Sequence, residues 1–291
     1  MNPALKKLGF NEQDRVVIIH TDDIGMCQAS LSAYENLLNA GLISSASTMV
    51  PCPWFPETAR FCRDHPGVDM GVHLTLNAEW ASYRWGPIST RDTASGMLDE
   101  EGYFFNNVPA TVQSARPEAV AIELKAQLER ALAQGIDVTH VDSHMGTVTH
   151  NPFLQIYMGL ALEYKLPLFM LSSRASNLEH YGVDSALVRQ LDELEEQGLP
   201  LFDAITMMPL DDPEDNIGKA RAIFDSLQPG LTYLILHPSA DTPELRGCAP
   251  DWPSRVANYA AFSSPELLDY VKQSGIQVIG YRPLRNLIRA A

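Results

Sequence analysis

The stretch VVIIHTDDIGMC, residues Val16–Cys27, joins a short apolar run to a cluster of polar side chains. Its four β-branched residues, Val16–Ile19, favour a buried β-strand. A histidine, a threonine, two adjacent aspartates and a glycine follow directly. In parallel α/β proteins, functional groups gather at the carboxyl ends of the strands. The stretch therefore predicts a strand that ends in a functional site at Asp22 and Asp23.

Strand-like and helix-like segments alternate along the rest of the chain. Short apolar runs predict eight strands, at residues 15–20, 42–50, 67–76, 136–144, 166–171, 199–207, 231–237 and 276–281. Helical periodicity or composition predicts helices between them, at residues 28–41, 54–64, 117–135, 152–164, 183–196, 213–227 and 264–274. Such alternation is typical of parallel βαβ units. About eight units favour a TIM-like (β/α) barrel, complete or distorted, over an open doubly wound sheet.

No repeat, low-complexity segment or linker divides the chain, so we predict one domain over residues 1–291. Two long connections, at about 77–115 and 238–263, separate predicted elements. Connections of this length inside a compact domain are usually functional or disordered.

Composition argues against several classes of protein. Hydrophobic residues make up 45% of the chain and charged residues 20%, which is typical of globular proteins. The net charge of -15 argues against a nucleic-acid partner, because phosphate contacts normally need a basic face. We expect no membrane partner and no signal peptide, since no apolar run reaches about eighteen residues and MNPALKKLGF has no apolar region. The four cysteines form no CxxC pair, so we expect free thiols and a cytoplasmic protein, with a homo-oligomer left open.

Residues suited to metal binding and acid–base chemistry recur at the predicted strand ends, namely Asp22, Asp23, His73, Asp142, His144 and His237. Strand ends of parallel sheets meet at one face, so these side chains are expected to converge. One carboxylate and two neutral imidazoles form a mixed site for Zn²⁺ or a similar divalent ion. A second carboxylate beside the ion could accept a proton from water, and a remote histidine could protonate a leaving group. Adjacent strand residues point different ways, so the two aspartates are expected to have different roles.

Four motifs, TDDIG, GVHLTLN, THVDSH and LILHPS, follow the order and similar spacing of motifs in the YdjC/ChbG family of carbohydrate deacetylases. The chain resembles this family over nearly its whole length. The resemblance implies a barrel-like (β/α) fold and removal of acetyl groups from N-acetylated sugars. It implies that Asp23, His73 and His144 bind a divalent metal ion, Zn²⁺ or Mg²⁺. It further implies that Asp22 is the base that activates water and that His237 is the acid that protonates the departing amine.

The chain departs from the family pattern beside these motifs. His20 and Thr21 stand where the family usually has Asn and Ala, and Gly146 replaces a family histidine. These changes leave the implied ligands intact but alter their surroundings, so they bear on the substrate more than on the reaction. His20 is either a structural donor or a functional group, and Asp142 is either a turn residue or a carboxylate that orients a ligand histidine. The remaining histidines are expected in loops, on the surface or in packing: His65, His140, His150 and His180.

The first long connection contains NAEWASYRWGPIST, residues 77–90. Its residues Trp80, Arg84 and Trp85 either anchor the loop or form a substrate-binding rim on which sugar rings stack. Together with the metal-binding pattern, the family resemblance implies a metal-dependent N-deacetylase of mono- or oligosaccharides. Two alternatives remain: another metallohydrolase that acts on an amide, ester or phosphate, and a non-catalytic, metal-dependent carbohydrate-binding protein.

Overall fold

The strand that contains Asp22 and Asp23 lies near the middle of a parallel sheet. The structure is a computed structural model that describes residues 1–175, 178 and 185–290. Within these residues one sheet has seven strands: β1 (Arg15–Ile24), β2 (Ser45–Thr48), β3 (Met70–Leu74), β4 (Val138–Ser143), β5 (Ala204–Met207), β6 (Gly230–Leu236) and β7 (Gln277–Val278). The strand order is β4–β3–β2–β1–β6–β5, and β7 pairs with β1. All of these pairs are parallel, so the predicted α/β class is confirmed.

Residues 166–171, which were predicted to be a strand, link the two edges of the sheet instead of forming a regular strand. Leu168 makes a parallel bridge to Val141 in β4, and Leu171 makes one to Phe202, just before β5. Backbone pairing therefore continues from one edge strand to the other. The architecture is consistent with the predicted distorted barrel.

Helices flank the strands along the chain. The described ranges contain twelve α-helices: α1 (Pro3–Lys7), α2 (Gln28–Ala40), α3 (Phe55–Asp64), α4 (Val108–Ser114), α5 (Pro117–Ala133), α6 (Leu154–Glu163), α7 (Ser185–Glu196), α8 (Asn216–Ser226), α9 (Pro243–Cys248), α10 (Trp252–Phe262), α11 (Pro265–Gln273) and α12 (Tyr281–Ala290). Each predicted helix is present with shifted ends. For the one that is now α7, residues 183 and 184 lie outside the described ranges, as does His180. Among the described residues, no helix combines the length and apolar character needed to cross a bilayer.

The two long connections contain helices that the sequence did not predict. The first carries α4, and the second carries α9 and α10. Helix α10 packs against α2 and α8, which brings the second connection back to the carboxyl end of the sheet. The prediction of a single domain over residues 1–291 stays a prediction.

Side chains of β1 alternate between two hydrophobic cores. Val17 and Ile19 belong to the large core under the helices. Val16 and Ile18 belong to a smaller core together with Tyr233 of β6. Both faces of the strand are buried, as expected for a parallel sheet that is covered on both sides. The same alternation directs the following even-numbered residues of β1 toward the smaller core.

Candidate metal centre and active site

The polar residues predicted from strand ends lie together at the carboxyl ends of four strands. Asp22 and Asp23 are among the last residues of β1, and His73 is the penultimate residue of β3. Asp142 lies near the end of β4, where the register pairs it with His73. His237 directly follows β6. The parallel arrangement therefore assembles these side chains at one face.

Asp23 reaches this face through an irregularity in β1. Regular alternation would place Asp22 and Asp23 on opposite sides of the strand. Instead, the pairing register with β2 shifts between Thr21 and Ile24, and Asp23 has a left-handed φ of 63°. Such a conformation costs a non-glycine residue about 1–3 kcal/mol. Both carboxylates consequently face one imidazole, since the Nε2 atom of His73 lies 3.5 Å from Asp23 Oδ1 and 3.8 Å from Asp22 Oδ2.

Asp23, His73 and His144 form a buried group whose donor atoms lie within 4.8 Å of one another. The Oδ1 atom of Asp23 lies 3.5 Å from His73 Nε2 and 3.3 Å from His144 Nδ1. Ligands about 2.1 Å from a tetrahedral ion lie about 3.4 Å apart, so these separations fit a divalent cation such as Zn²⁺. The same Oδ1 atom is buried and has no hydrogen-bond partner among the described residues. This group could therefore hold a metal ion.

Two overlapping groups could also hold a metal on distance alone, namely His20–His140–Asp142 and Asp22–His73–Asp142. Both groups depend on Asp142, whose two oxygens are already engaged, Oδ2 with His20 Nε2 at 3.0 Å and Oδ1 with His73 Nδ1 at 2.8 Å. The group that contains Asp23 is thus the better candidate, because it does not need Asp142 and its carboxylate offers an oxygen without a hydrogen-bond partner among the described residues.

Asp142 lies behind the candidate ligand His73. Its Oδ1 contacts His73 Nδ1 at 2.8 Å, which leaves the Nε2 atom of that ring facing Asp23. The hydroxyl of Tyr233 donates a hydrogen bond of 3.2 Å to the other oxygen of Asp142. Burial alone would raise the pKa of Asp142, but the neighbouring histidines, His73 first, hold that pKa well below its usual value. Carboxylates in such contacts orient metal-binding imidazoles.

His20 is completely buried and joins two carboxylates. Its Nε2 atom lies 3.1 Å from Asp22 Oδ1 and 3.0 Å from Asp142 Oδ2. The hydroxyls of Ser45 and Ser47 contact its two ring nitrogens at 3.0 and 3.1 Å. Burial opposes protonation, yet the two carboxylates raise the pKa of His20 above its usual value. With no exposed surface, His20 can influence a substrate only through its neighbours.

A glycine in β3 makes room for the other buried histidine. A Cβ atom at Gly71 would lie 2.4 Å from ring atoms of His140. The opposite side of that imidazole stacks on Tyr281, with ring centroids 3.7 Å apart. Burial lowers the pKa of His140 despite the nearby Asp142. His140 therefore lies in the packed interior, in agreement with the expectation that it serves packing.

Glu79 in the first long connection is a site residue that the sequence reasoning missed. Its Oε2 atom lies 2.9 Å from Nε2 of His144, on the opposite side of that ring from Asp23. Burial lowers the pKa of His144, but Glu79 and Asp23 outweigh it and raise that pKa to about 9. The carboxylate of Glu79 thus fixes the ring so that Nδ1 faces the candidate metal position.

Arg255 in α10 is the second residue that the sequence reasoning missed. Its Nη1 donates to Asp23 Oδ2 at 2.7 Å, and its Nε donates to Asp251 Oδ1 at 2.9 Å. The guanidinium lies over Trp80, 5.4 Å from the ring centroid. Burial would raise the pKa of Asp23, but Arg255 and then His144 hold that pKa well below its usual value. Asp23 is therefore a carboxylate with one oxygen held and one oxygen free.

His237 borders Asp22 at the mouth of the site. Its Nε2 atom lies 3.7 Å from Asp22 Oδ2, and its side chain is 12% exposed. The backbone N–H of His237 donates to Asn258 Oδ1 at 3.3 Å. Burial lowers the pKa of His237, against the pull of Asp23 and Asp22. Burial therefore favours the neutral form of this ring.

The residues predicted to bind sugar lie in the loop above His144 and are mostly buried. Trp80 is 7% exposed and Trp85 is 3% exposed. The indole N–H of Trp85 donates to the carbonyl of Asn77 at 2.7 Å, and Arg84 pairs with Asp99 at 2.5 Å. These contacts anchor the loop, and the role of these residues in stacking on a sugar stays a prediction.

Comparison with known proteins places the chain in a family. The family model described as YdjC-like protein matches residues 16–273. The chain belongs to the YdjC-like family. A carbohydrate deacetylase from Thermus thermophilus is 36% identical to this YdjC-like protein over 265 residues, which are 90% of this chain and 91% of that protein.

A carbohydrate deacetylase from Thermoanaerobacter pseudethanolicus is 23% identical, with 93% of this chain and all of that protein covered. Among solved structures, a protein from Enterococcus faecalis described as a cellobiose-phosphate cleavage protein superposes with a TM-score of 0.78. The two chains are 22% identical, and the superposition covers 93% of this chain and 99% of the other. At this identity the likeness supports only the fold.

Proposed function

We propose that this protein is a metal-dependent hydrolase that removes acetyl groups from N-acetylated mono- or oligosaccharides. Support comes from its family, since relatives that match about nine-tenths of the chain are named carbohydrate deacetylases. The buried group of Asp23, His73 and His144, with a further carboxylate at Asp22, carries the proposal for the mechanism.

Asp23, His73 and His144 are the proposed ligands of one divalent cation, Zn²⁺ or Mg²⁺. When bound, the cation would polarise the acetamide carbonyl and acidify water. Asp142 and Glu79 hold the two imidazoles by their outer nitrogens, at 2.8 and 2.9 Å. The inner nitrogens are thereby presented toward Asp23.

Asp22 is the proposed base. Its Oδ2 atom lies 3.8 Å from the ligand nitrogen of His73 and 3.7 Å from Nε2 of His237. It would accept a proton from the water molecule that attacks the acetyl carbon. The contact of its other oxygen with His20, at 3.1 Å, fixes the orientation of the carboxylate.

His237 is the proposed acid. Because burial lowers its pKa and so favours the neutral ring, the imidazole would gain its proton during the reaction. Asp22 Oδ2 and His237 Nε2 lie 3.7 Å apart, which is beyond direct hydrogen-bond reach, so the proton taken from water would pass to the imidazole through one bridging water or a small movement of the two side chains. His237 would then protonate the sugar nitrogen as the C–N bond breaks, which releases acetate and a free amine.

The test is a screen of N-acetylated mono- and oligosaccharides for acetate release, with Zn²⁺ or Mg²⁺ added to protein that a chelator has stripped of metal. We expect metal-dependent acetate release in equal amount to new amino groups. Phosphate release from phosphorylated sugars without acetate release would favour a different metallohydrolase. Sugar binding without any product would favour a carbohydrate-binding protein.

A further inference from the structure

The second long connection contributes an arginine to the candidate metal centre. Arg255 lies in α10, far from Asp23 in sequence, and its Nη1 donates to Asp23 Oδ2 at 2.7 Å. Both side chains are almost completely buried, at 4% and 2% exposure. A buried ion pair in this position must satisfy both charges locally, because water cannot do so.

Asp23 has two oxygens in different environments. Oδ2 accepts the hydrogen bond from Arg255, whereas Oδ1 has no hydrogen-bond partner within the described part of the chain. Oδ1 instead faces His73 Nε2 at 3.5 Å and His144 Nδ1 at 3.3 Å. The ion pair with Arg255 therefore leaves a single oxygen directed at the candidate metal position.

Arg255 is itself held on three sides. Besides Asp23, its guanidinium donates to Asp251 at 2.9 Å and lies over the ring of Trp80 at 5.4 Å. Its backbone carbonyl accepts a hydrogen bond of 3.2 Å from the N–H of Ser239. A guanidinium presents its donors in a fixed fork, so these contacts fix the position of the Nη1 donor.

Helix α10 supports the opposite side of the site as well. Asn258, one turn after Arg255, accepts the backbone N–H of His237 at 3.3 Å through Oδ1. Its amide nitrogen donates to Asn216 Oδ1 at 2.9 Å. One face of α10 therefore contacts both the candidate ligand Asp23 and the segment that bears His237.

We propose that Arg255 is a positioning residue that makes Asp23 a single-oxygen ligand and joins α10 to the metal centre. This inference rests on the proposed metal site, and it does not depend on which substrate the protein hydrolyses. Without Arg255, the Oδ2 atom would be buried with no partner and the carboxylate would be free to turn. Loss of a group that orients a ligand typically weakens metal binding by about 10–100-fold.

The experiment measures the dissociation constant for Zn²⁺ of the full chain, by competition with a chromophoric chelator and without any sugar. We expect Arg255→Gln to raise this constant about 10–100-fold. The matched control is Arg285→Gln, which breaks the ion pair between the buried Arg285 and the half-exposed Asp137, 2.6 Å apart, just before β4 at the other end of the sheet. Arg285→Gln should leave the dissociation constant unchanged, even if it lowers the unfolding temperature.

A double-mutant cycle separates positioning from general damage to the fold. If Arg255 acts through Asp23, Arg255→Gln will weaken Zn²⁺ binding in the native background but change little further in Asp23→Asn. An unchanged constant in Arg255→Gln, or an equal loss in both backgrounds, would overturn the inference. Should Arg255→Gln fail to fold, Arg255→Lys carries the cycle, because a single ammonium group cannot reproduce the fork to Asp23 and Asp251.

Acetate release by the unmodified protein tests the proposed function separately. If Zn²⁺ binding depends on Arg255 but no acetate is released, the inference stands and the proposed function fails. If acetate is released but Zn²⁺ binding does not change in Arg255→Gln, the proposed function stands and the inference fails.

Discussion

Asp22→Asn separates the proposed base from the proposed ligand beside it. The change preserves shape and keeps an oxygen for the contact with His20, which is 3.1 Å in the native protein. It removes the negative charge and the ability to accept a proton. Asp22 lies outside the Asp23, His73 and His144 group, so the variant should still bind one metal ion.

The size of the effect follows from the contacts of Asp22. General base catalysis typically contributes about 10²–10⁴-fold, so kcat should fall by that factor, which equals about 2.7–5.5 kcal/mol in activation free energy. The loss in free energy of unfolding should be smaller than this loss in activation free energy, because His20 keeps its second carboxylate partner, Asp142, at 3.0 Å. Weakening one buried polar contact of this kind costs about 1 kcal/mol of unfolding free energy.

The assay measures kcat and KM for acetate release, together with the metal content of the same samples. Asp23→Asn is the matched control, since it makes the same chemical change one residue later. We expect Asp22→Asn to retain metal and lose turnover, whereas Asp23→Asn should bind metal much more weakly, through the two remaining imidazoles, and lose turnover as well. Near-native turnover in metal-loaded Asp22→Asn would refute the proposed base, and loss of metal would refute the division of roles.

Three further predictions concern the histidines. His237→Gln should lower kcat for N-acetyl sugars by about 10²–10⁴-fold, yet spare an aryl acetate, whose leaving group needs no acid; equal losses for both would contradict the acid role. The affinity for Zn²⁺ should fall at least about tenfold per pH unit below pH 9, because His144, with its pKa raised to about 9, and His73, whose pKa the nearby carboxylates raise against the effect of burial, must each lose a proton to bind metal. Isothermal titration between pH 6 and 9 checks this, and a flat profile refutes it. His20→Ala should lower the free energy of unfolding by about 3–5 kcal/mol, because the two buried carboxylates Asp22 and Asp142 lose their shared partner. His20→Asn should lower it less. Equal stability of His20→Ala and the native protein in urea would show that the contacts of His20 with the two carboxylates do not stabilise the fold.

The sequence was sufficient for features that follow from strand periodicity. The even-numbered residues of β1 share one side of the strand. Val16 and Ile18 lie in the smaller core, and His20 and Asp22 follow on the same side, where they contact each other. His73 and Asp142 lie side by side because parallel strands end at one edge. His20, read from the sequence as either structural or functional, proves to be completely buried.

Other features depend on tertiary contacts that periodicity does not encode. Alternation would direct Asp23 away from Asp22, and only the shifted register and the left-handed backbone bring the two together. Residues 166–171 have the composition of a strand, but their pairing is limited to single bridges at the two edges of the sheet.

Glu79 and Arg255 come from the long connections, whose paths the sequence does not define. A weak signal for Arg255 existed in α10. Ser254, Arg255, Asn258 and Phe262 are buried at helical spacing, so a charged residue lies on the inward stripe of that helix. A charge in such a position requires a buried partner, although its identity as Asp23 needs the folded structure.

The most direct test of the account is a titration of metal-stripped protein with Zn²⁺ while acetate release from an N-acetylated sugar is followed. The account predicts that the rate rises in proportion to bound Zn²⁺ and levels off at one ion per chain. The metal-binding variant His73→Ala should show neither tight binding nor acetate release. Full acetate release by protein without metal, or none at one bound ion across the sugars screened, would contradict the central claim.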